Sequence, residues 1–311
     1  MLVLDSGISQ VKSDFHIPVM LAETLEGLAL GPGKTIVDAT VGTGGHSLNI
    51  IERILPGGEL ICIDRDDESL KISEERLKGF RDSCILARGN FVDMRNILKG
   101  LHINKVDGIL FDLGISTFQL RDAHRGFSFQ EEGPLDMRMD RNGYISAYDL
   151  INNLNEEEIS SLLWNFAGER WHNRIASCLV RERQQHPIAT TRQLADIVLR
   201  ATPAKYRFRH YRIHPATRTF QAVRIAVNRE LEALEKTLSE AIDLLNHSGR
   251  ICVISFHSLE DRIVKLAFKR ESALGRIRII TPKPLIPGAS EMEENPASRS
   301  SKMRVAEKIG S

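Results

Sequence analysis

Thr35-Ile-Val-Asp38-Ala-Thr-Val-Gly42-Thr-Gly44-Gly45-His46 decides the fold of this 311-residue chain. A β-branched run ends on an acid, glycines follow, and a helical pattern opens directly after them, the strand–turn–helix start of a βαβ unit. Glycines let the backbone turn tightly and approach a ligand without Cβ clashes, and the amides at the helix start then face that ligand. Outward from this stretch, Thr35–Ala39, Glu59–Asp64 and Val106–Asp112 are apolar runs of the kind that form buried parallel strands. Each leads through a Gly-rich or polar turn into a helical pattern. A fourth run follows at Arg250–Phe256, with weaker ones at Arg276–Thr281 and Met303–Glu307. The expected class is α/β, a Rossmann-like doubly wound and mostly parallel sheet.

Between the third and fourth runs the chain changes character and carries helices with almost no strands. Asn155 and Glu158 form a capping box for a helix that turns Ile159, Leu162, Leu163 and Phe166 inward. Gly168–Gln185 is a second helical pattern, ended by Pro187. Thr191 caps a third, with Leu194, Ile197 and Val198 inward. Thr217–Asn246 reads as one long helix that returns the chain to the sheet, ending at Gly249. These patterns place an inserted helical module at residues 118–216, between residues 1–117 and 217–311 of one discontinuous domain. Pro282–Ser301, rich in Pro, Glu and Ser, reads as the flexible stretch.

Composition excludes more than it assigns. With 42% hydrophobic and 27% charged residues the chain has an ordinary globular balance. No apolar run approaches the roughly 18 residues needed to span a bilayer, so no membrane partner is expected. Leu2, Val3, Leu4 and Asp5 lack the cationic flank and apolar length of a secretory signal, which leaves a cytoplasmic location. The four cysteines show no CxxC pairing and read as reduced core thiols; no metal is expected. A net charge of +1 names no partner, but its distribution is uneven. From Asp196 to Glu230 no acid intervenes among Arg200, Lys205, Arg207, Arg209, Arg212, Arg218, Arg224 and Arg229, and Tyr206, Phe208, His210, Tyr211 and His214 are interleaved with them. Cations beside flat rings suit phosphate contacts and base stacking; the other reading is a solvated basic face.

Asp38 precedes Gly42 by four residues, and Ser47 stands where a dinucleotide-binding loop would place its third glycine. An acid here would repel a diphosphate. It suits a ligand with an ammonium group and no phosphate, as S-adenosylmethionine is. Asp64, in Ile63-Asp64-Arg65-Asp66 at the end of a strand, can accept hydrogen bonds from both hydroxyls of a ribose. Phe91, after Gly89-Asn90, either lies against an adenine or packs in the core.

Asp112, in Ile109-Leu-Phe-Asp112-Leu-Gly114-Ile-Ser116, sits at the carboxyl end of a strand, where open α/β sheets bind their ligands. An exocyclic amine of cytosine is a poor nucleophile because its lone pair is delocalised into the ring. A carboxylate that accepts its N–H bond localises that lone pair. The alternatives for Asp112 are a turn cap or a partner for the cofactor ammonium. Asp136, Arg138 and Asp140 either shape a base pocket or tuck a Met-containing loop onto the sheet. Ser258 with Asp261 forms a capping box, and the neighbouring His257 either touches substrate or serves the turn. His16 reads as structural. Neither triad order nor metal-ligand spacing argues for hydrolysis or zinc.

Several blocks resemble the RsmH (MraW) family, the bacterial 16S rRNA (cytosine-N4)-methyltransferases. They are His16-Ile-Pro-Val, Gly44-Gly-His46-Ser, Ile63-Asp-Arg-Asp66, Asp112-Leu-Gly-Ile-Ser116, Arg125-Gly-Phe-Ser-Phe129, Gly133-Pro-Leu-Asp-Met-Arg-Met-Asp140, His214-Pro-Ala-Thr-Arg-Thr-Phe-Gln221, Ile254-Ser-Phe-His-Ser-Leu-Glu-Asp-Arg262 and Asn295-Pro-Ala-Ser-Arg-Ser. The resemblance implies a class I S-adenosylmethionine-dependent methyltransferase acting on a decoding-region cytidine of the small ribosomal subunit; the sequence leaves a monomer and a homodimer both open. It carries cofactor contacts onto Gly44, Gly45, His46, Asp64, Phe91, Asp112 and Gln119. This chain departs from the family at Thr43, at Thr117-Phe118 and across Tyr206–Ile213, where Arg209 and Arg212 are the candidates for holding RNA. Three rivals stand beside this reading. They are a noncatalytic rRNA-binding assembly factor, a methyltransferase for a small molecule or protein, and a nicotinamide-dependent oxidoreductase, the last disfavoured by the missing third glycine.

Overall fold

Strands β1 (Thr35–Asp38), β2 (Glu59–Asp64), β3 (Cys84–Arg88), β4 (Val106–Asp112), β5 (Leu245–Ser255), β6 (Ile277–Ile279) and β7 (Lys302–Lys308) form one sheet in the order β3-β2-β1-β4-β5-β7-β6. These positions come from a computed structural model, which describes residues 17–207 and 214–310. His16, Arg209 and Arg212 lie outside the described residues. Val37 pairs in parallel with Ile61 on one side and Ile109 on the other, and Asp112 pairs with Ile254. The last two strands run antiparallel, Val305 opposite Cys252 and Arg278 opposite Glu307.

The chain divides into two compact units, one of residues 1–114 and 235–311, the other Ile115–Leu234. In the first, the strands alternate with α1 (Leu21–Gly27), α2 (Gly45–Ile54), α3 (Asp67–Arg76) and α4 (Met94–Gly100). Its core gathers Ile36, Leu60, Cys62, Leu110, Cys252, Ile254 and Val305 from the sheet with Ile50, Ile51 and Ile54 from α2. Burying each such side chain contributes about 1.5–3 kcal/mol. The central strands are apolar on both faces, which is why they stand out in the sequence. Edge strand β3 is only half-buried and lacks that signal. The four cysteines are free thiols. No helix among the described residues is long and apolar enough to cross a membrane.

The second unit contains α5 (Thr117–Arg121), α6 (Ala147–Asn153), α7 (Glu156–Ala167), α8 (His172–Arg183), α9 (Thr191–Ala201), α10 (Ala204–Arg207) and α11 (Ala216–Asn228), and α12 (Glu230–Leu244) leads out of it. Leu163, Ile175, Leu179, Leu194, Val198 and Val223 lie in its core. Asn155 caps α7 through the expected box with Glu158. The cap of α9 is Thr190, one residue before the expected Thr191, because the Thr190 hydroxyl accepts the Gln193 amide while Gln193 reaches back. The long helix expected over Thr217–Asn246 is two helices, broken at Arg229 in the left-handed region (φ 49°). The cause is tertiary: Asn228 is held by hydrogen bonds to the Met137 carbonyl (2.7 Å) and from the Met139 amide (2.8 Å). Beyond it the chain is already in β5 at Leu245, before Gly249.

In the first unit, α13 (Ser258–Ala273) follows β5, and α14 (Ala289–Glu294) falls inside the stretch expected to be flexible. That stretch is ordered by its own polar side chains. Asn295 donates to the Ile17 carbonyl (3.0 Å), the Ser298 hydroxyl donates to the Asn295 carbonyl (2.8 Å), and Leu285 bridges to Met303.

Candidate active site

The carboxyl ends of β1, β2 and β4 adjoin one another in the first unit, and the glycine turn after β1 is their junction. Gly42 (φ 52°) and Gly44 (φ 76°) lie in the left-handed region that favours glycine. A Cβ at Gly44 would sit 3.2 Å from the Ser73 hydroxyl. Helix α3 holds the turn from behind: Ser73 donates to the Gly42 carbonyl (2.7 Å) and Arg76 to that of Thr43 (3.2 Å). Asp64, ending β2, accepts the Gly42 amide (2.9 Å) on one oxygen and the Asp66 amide (2.9 Å) on the other. Burial raises its carboxyl above the ordinary range, against those two amides, which lower it.

Asp38 lies under the turn, not open to a ligand. Its carboxylate is 1% exposed and accepts the Ser47 hydroxyl (2.7 Å) and the Thr40 amide (3.2 Å). Burial pushes its carboxyl up to about 6, and the nearby Asp112 charge adds to that while Ser47 and His46 oppose it. The acid expected to meet an ammonium thus acts on the crevice through its field and through Ser47.

Asp112 ends β4, with its own amide donating to the Thr40 hydroxyl (2.7 Å). Its Oδ2 is 3.5 Å from Nε2 of the buried His46, at the start of α2, outside hydrogen-bonding geometry. Both ring nitrogens of His46 and Oδ1 of Asp112 are buried with no hydrogen-bond partner. Leaving such groups unmet costs about 1–3 kcal/mol each, so a fold that retains them together at its strand tips is arranged for groups brought from outside. Phe91 is half-buried and packs edge-on against Phe111, with centroids 5.5 Å apart.

This donor set fits S-adenosylmethionine. The strand tips offer carboxylates for ribose hydroxyls and an ammonium, a glycine turn with helix-start amides and an aromatic ring. Gly44, Gly45, His46, Asp64, Phe91 and Asp112 are brought together in one unit. Gln119 belongs to the other unit, where it is buried and completes a capping box with Ser116.

The remaining expected residues have local tasks. Arg138 donates to both oxygens of Asp136 (2.7 and 2.8 Å) and to the Gly143 carbonyl (2.7 Å), which holds Asp136 below the usual carboxylate range. Asp140 accepts the Asn142 amide (3.0 Å). Met137 and Met139 are buried beneath the loop. His257 is the N-cap of α13: its Nδ1 accepts the Glu260 amide (3.4 Å), and Glu260 accepts the Phe256 amide (2.8 Å) and the His257 amide (3.2 Å). The capping box is therefore His257 with Glu260, not Ser258 with Asp261. The chain enters the helix one residue early, and Asp261 pairs with Arg304 (2.7 Å). Thr40, Ser73 and Arg76 also support the turn, yet stand outside every expected motif because they act through hydrogen bonds that no spacing rule announces.

The model of the MraW methylase family matches residues 13–309. Proteins named ribosomal RNA small subunit methyltransferase H from Sulfurihydrogenibium sp. and Trichlorobacter lovleyi are each 48% identical, over 94% and 95% of this chain and 99% and 98% of their own lengths. The protein of that name from Finegoldia magna is 42% identical over 94% of this chain and 98% of its own length. Strand tips built for a small cationic ligand and this near-complete match agree: the chain belongs to the MraW methylase family.

Proposed function

We propose that this chain methylates the N4 amine of a cytidine in the decoding region of small-subunit rRNA, with S-adenosylmethionine as donor. The observation that carries the reading is the set of buried atoms at the strand tips without a hydrogen bond, both ring nitrogens of His46 and Oδ1 of Asp112. When bound, S-adenosylmethionine supplies an electrophilic sulfonium methyl. Asp64 holds hydroxyls of a ribose, and the Gly44–His46 turn presents helix-start amides. The free Oδ1 of Asp112 accepts an N–H bond of the cytosine amine and localises its lone pair. The proton released goes to that carboxylate, and His46 Nε2, 3.5 Å from Oδ2, is the nearest base to pass it on. Burial of His46, and of the Oδ1 atom of the quarter-exposed Asp112, keeps water from competing for these atoms.

The second unit holds the RNA in this reading, as the substrate-binding insertion. Its support is a group of rings and cations around the turn between α7 and α8. Trp164 lies 5.2 Å from His172, Trp171 lies 5.3 Å from Tyr206, and the exposed Arg170 sits over both Trp171 (5.1 Å) and Tyr206 (5.6 Å). Such stacks are sequence-tolerant platforms for unpaired bases. An rRNA substrate fits a cytoplasmic enzyme, active as a monomer or homodimer. The test is methyl transfer from labelled cofactor to small subunits lacking the modification, followed by nucleoside mass spectrometry. Label in N4-methylcytidine supports the reading. Label in another nucleoside, or transfer that does not need RNA, overturns it.

A further inference from the structure

Two sequence blocks with no part in the chemistry above meet in the first unit. Ile17, Pro18, Val19 and Met20 bring Pro18 onto the glycine turn, its ring so close to Gly45 that a Cβ there would come within 3.0 Å of Pro18 Cγ. Two side chains from the α14 segment grip this strap by its backbone. Glu291 accepts the Met20 amide (2.6 Å), and Asn295, itself buried, donates to the Ile17 carbonyl (3.0 Å). Val19 and Met20 are buried in the core, and Met20 is held in the left-handed region (φ 52°), which costs a non-glycine residue about 1 kcal/mol or more. Glu291 holds that residue at its amide, and Thr24 holds it at its carbonyl (2.8 Å).

The glycine turn needs such a brace. Glycines at positions 42, 44 and 45 allow close approach to a ligand but leave the free backbone with more conformations to lose on binding. A contact that orders the turn beforehand lowers that loss and raises affinity without touching the ligand. Resting on the reading of the strand tips as the cofactor site, we propose that Glu291 and Asn295 are positioning residues for cofactor binding, clamping the Ile17–Met20 strap so that Pro18 braces the Gly44–Gly45 turn.

The test compares cofactor affinity with stability. Calorimetric titration of the full chain with S-adenosylmethionine should give a Kd about three- to tenfold higher for Glu291→Ala, for Asn295→Ala and for Pro18→Ala than for wild type. Glu291→Gln keeps the accepting oxygen and should restore the wild-type value. Amide exchange at Gly44–Ser47 in the cofactor-free protein should quicken in the same variants, a readout independent of catalysis. A purely structural role predicts a lower melting temperature with an unchanged Kd at temperatures where the fold is intact, and that result overturns the proposal. No binding by wild type would instead overturn the cofactor site itself. Should Asn295→Ala fail to fold, Pro18→Ala decides, since it leaves both tethers in place: an unchanged Kd there overturns the brace.

Discussion

The strand tips around Asp112 and the loop from Arg125 to Met139 are both dense with charge, but they dispose of it in opposite ways. In the loop every expected claimant is answered from within the second unit. Arg125, 1% exposed, donates to the carbonyls of Arg138 (3.1 Å) and Met139 (3.0 Å); Arg138 clasps Asp136; Asn228 fastens Met137 and Met139. At the strand tips, three buried atoms of His46 and Asp112 have no hydrogen-bond partner. Charged residues in an unusual motif therefore do not by themselves mark chemistry. The difference lies in open hydrogen-bonding capacity, which a structural loop closes and a site leaves for its ligand.

The largest effect expected from this contrast is at Asp112. Asp112→Asn should lower single-turnover methyl transfer by about 10²- to 10⁴-fold, the usual worth of a placed proton acceptor, with the melting temperature nearly unchanged. A loss below tenfold would remove Asp112 from the chemistry. In the closed loop the effects should be reversed. Arg125→Met strands the buried Met139 carbonyl and the half-buried Arg138 carbonyl and should cost about 3 kcal/mol in denaturant unfolding, with the cofactor Kd of the folded fraction unaltered. A stable Arg125→Met protein with weakened cofactor binding would break the contrast.

Asp38 sharpens it through pH. Its carboxyl titrates near 3.8 when unfolded and about 6 in the fold, so the folded state keeps the proton longer. The stability this gives is fully present below about pH 4 and is lost as pH rises through about 6, up to about 3 kcal/mol. Asp64 shifts in the same direction. Denaturation of the cofactor-free protein across that window should show the decline, and Asp38→Asn should flatten it; a wild-type curve rising from pH 4 to 6 would contradict the burial argument. The smallest effect is expected at Trp164, 55% exposed. Trp164→Ala should weaken RNA binding about fivefold, near 1 kcal/mol for one lost stack, at unchanged melting temperature. Equal RNA affinity by filter binding would remove this ring from the RNA surface.

Much of the first unit was legible because its demands fall on residue type. Left-handed backbone at positions 42 and 44 asks for glycine, a strand buried on both faces asks for a run such as Ile36-Val37, and a ribose asks for an acid at a strand end such as Asp64. What escaped depends on single side chains acting at long range. Nothing in the apolar pattern from Phe220 to Leu245 announces a break at Arg229, because its cause is an amide bonding to a loop 91 residues away. His257 as a cap is equally hidden, since imidazole is an uncommon acceptor there and Ser258 offers a better-known alternative. Asp38 is the acid the turn calls for, yet it lies under the loop rather than above it, a distinction that a sequence does not carry.

The position of β7 bears on how the chain is made. Residues 302–308 do not append to the sheet's rim but lie inside it, between β5 and β6, and β4 must wait for residues 115–234 to be synthesised before β5 can join it. Emerging from the ribosome in order, the chain can pair β1, β2, β3 and β4 early. It then carries β5 with one bare edge until residues 302–308 leave the exit tunnel, a template for misassembly in the interval. A nascent chain stalled short of residue 302 would hold the glycine turn and Asp112 on an unfinished sheet.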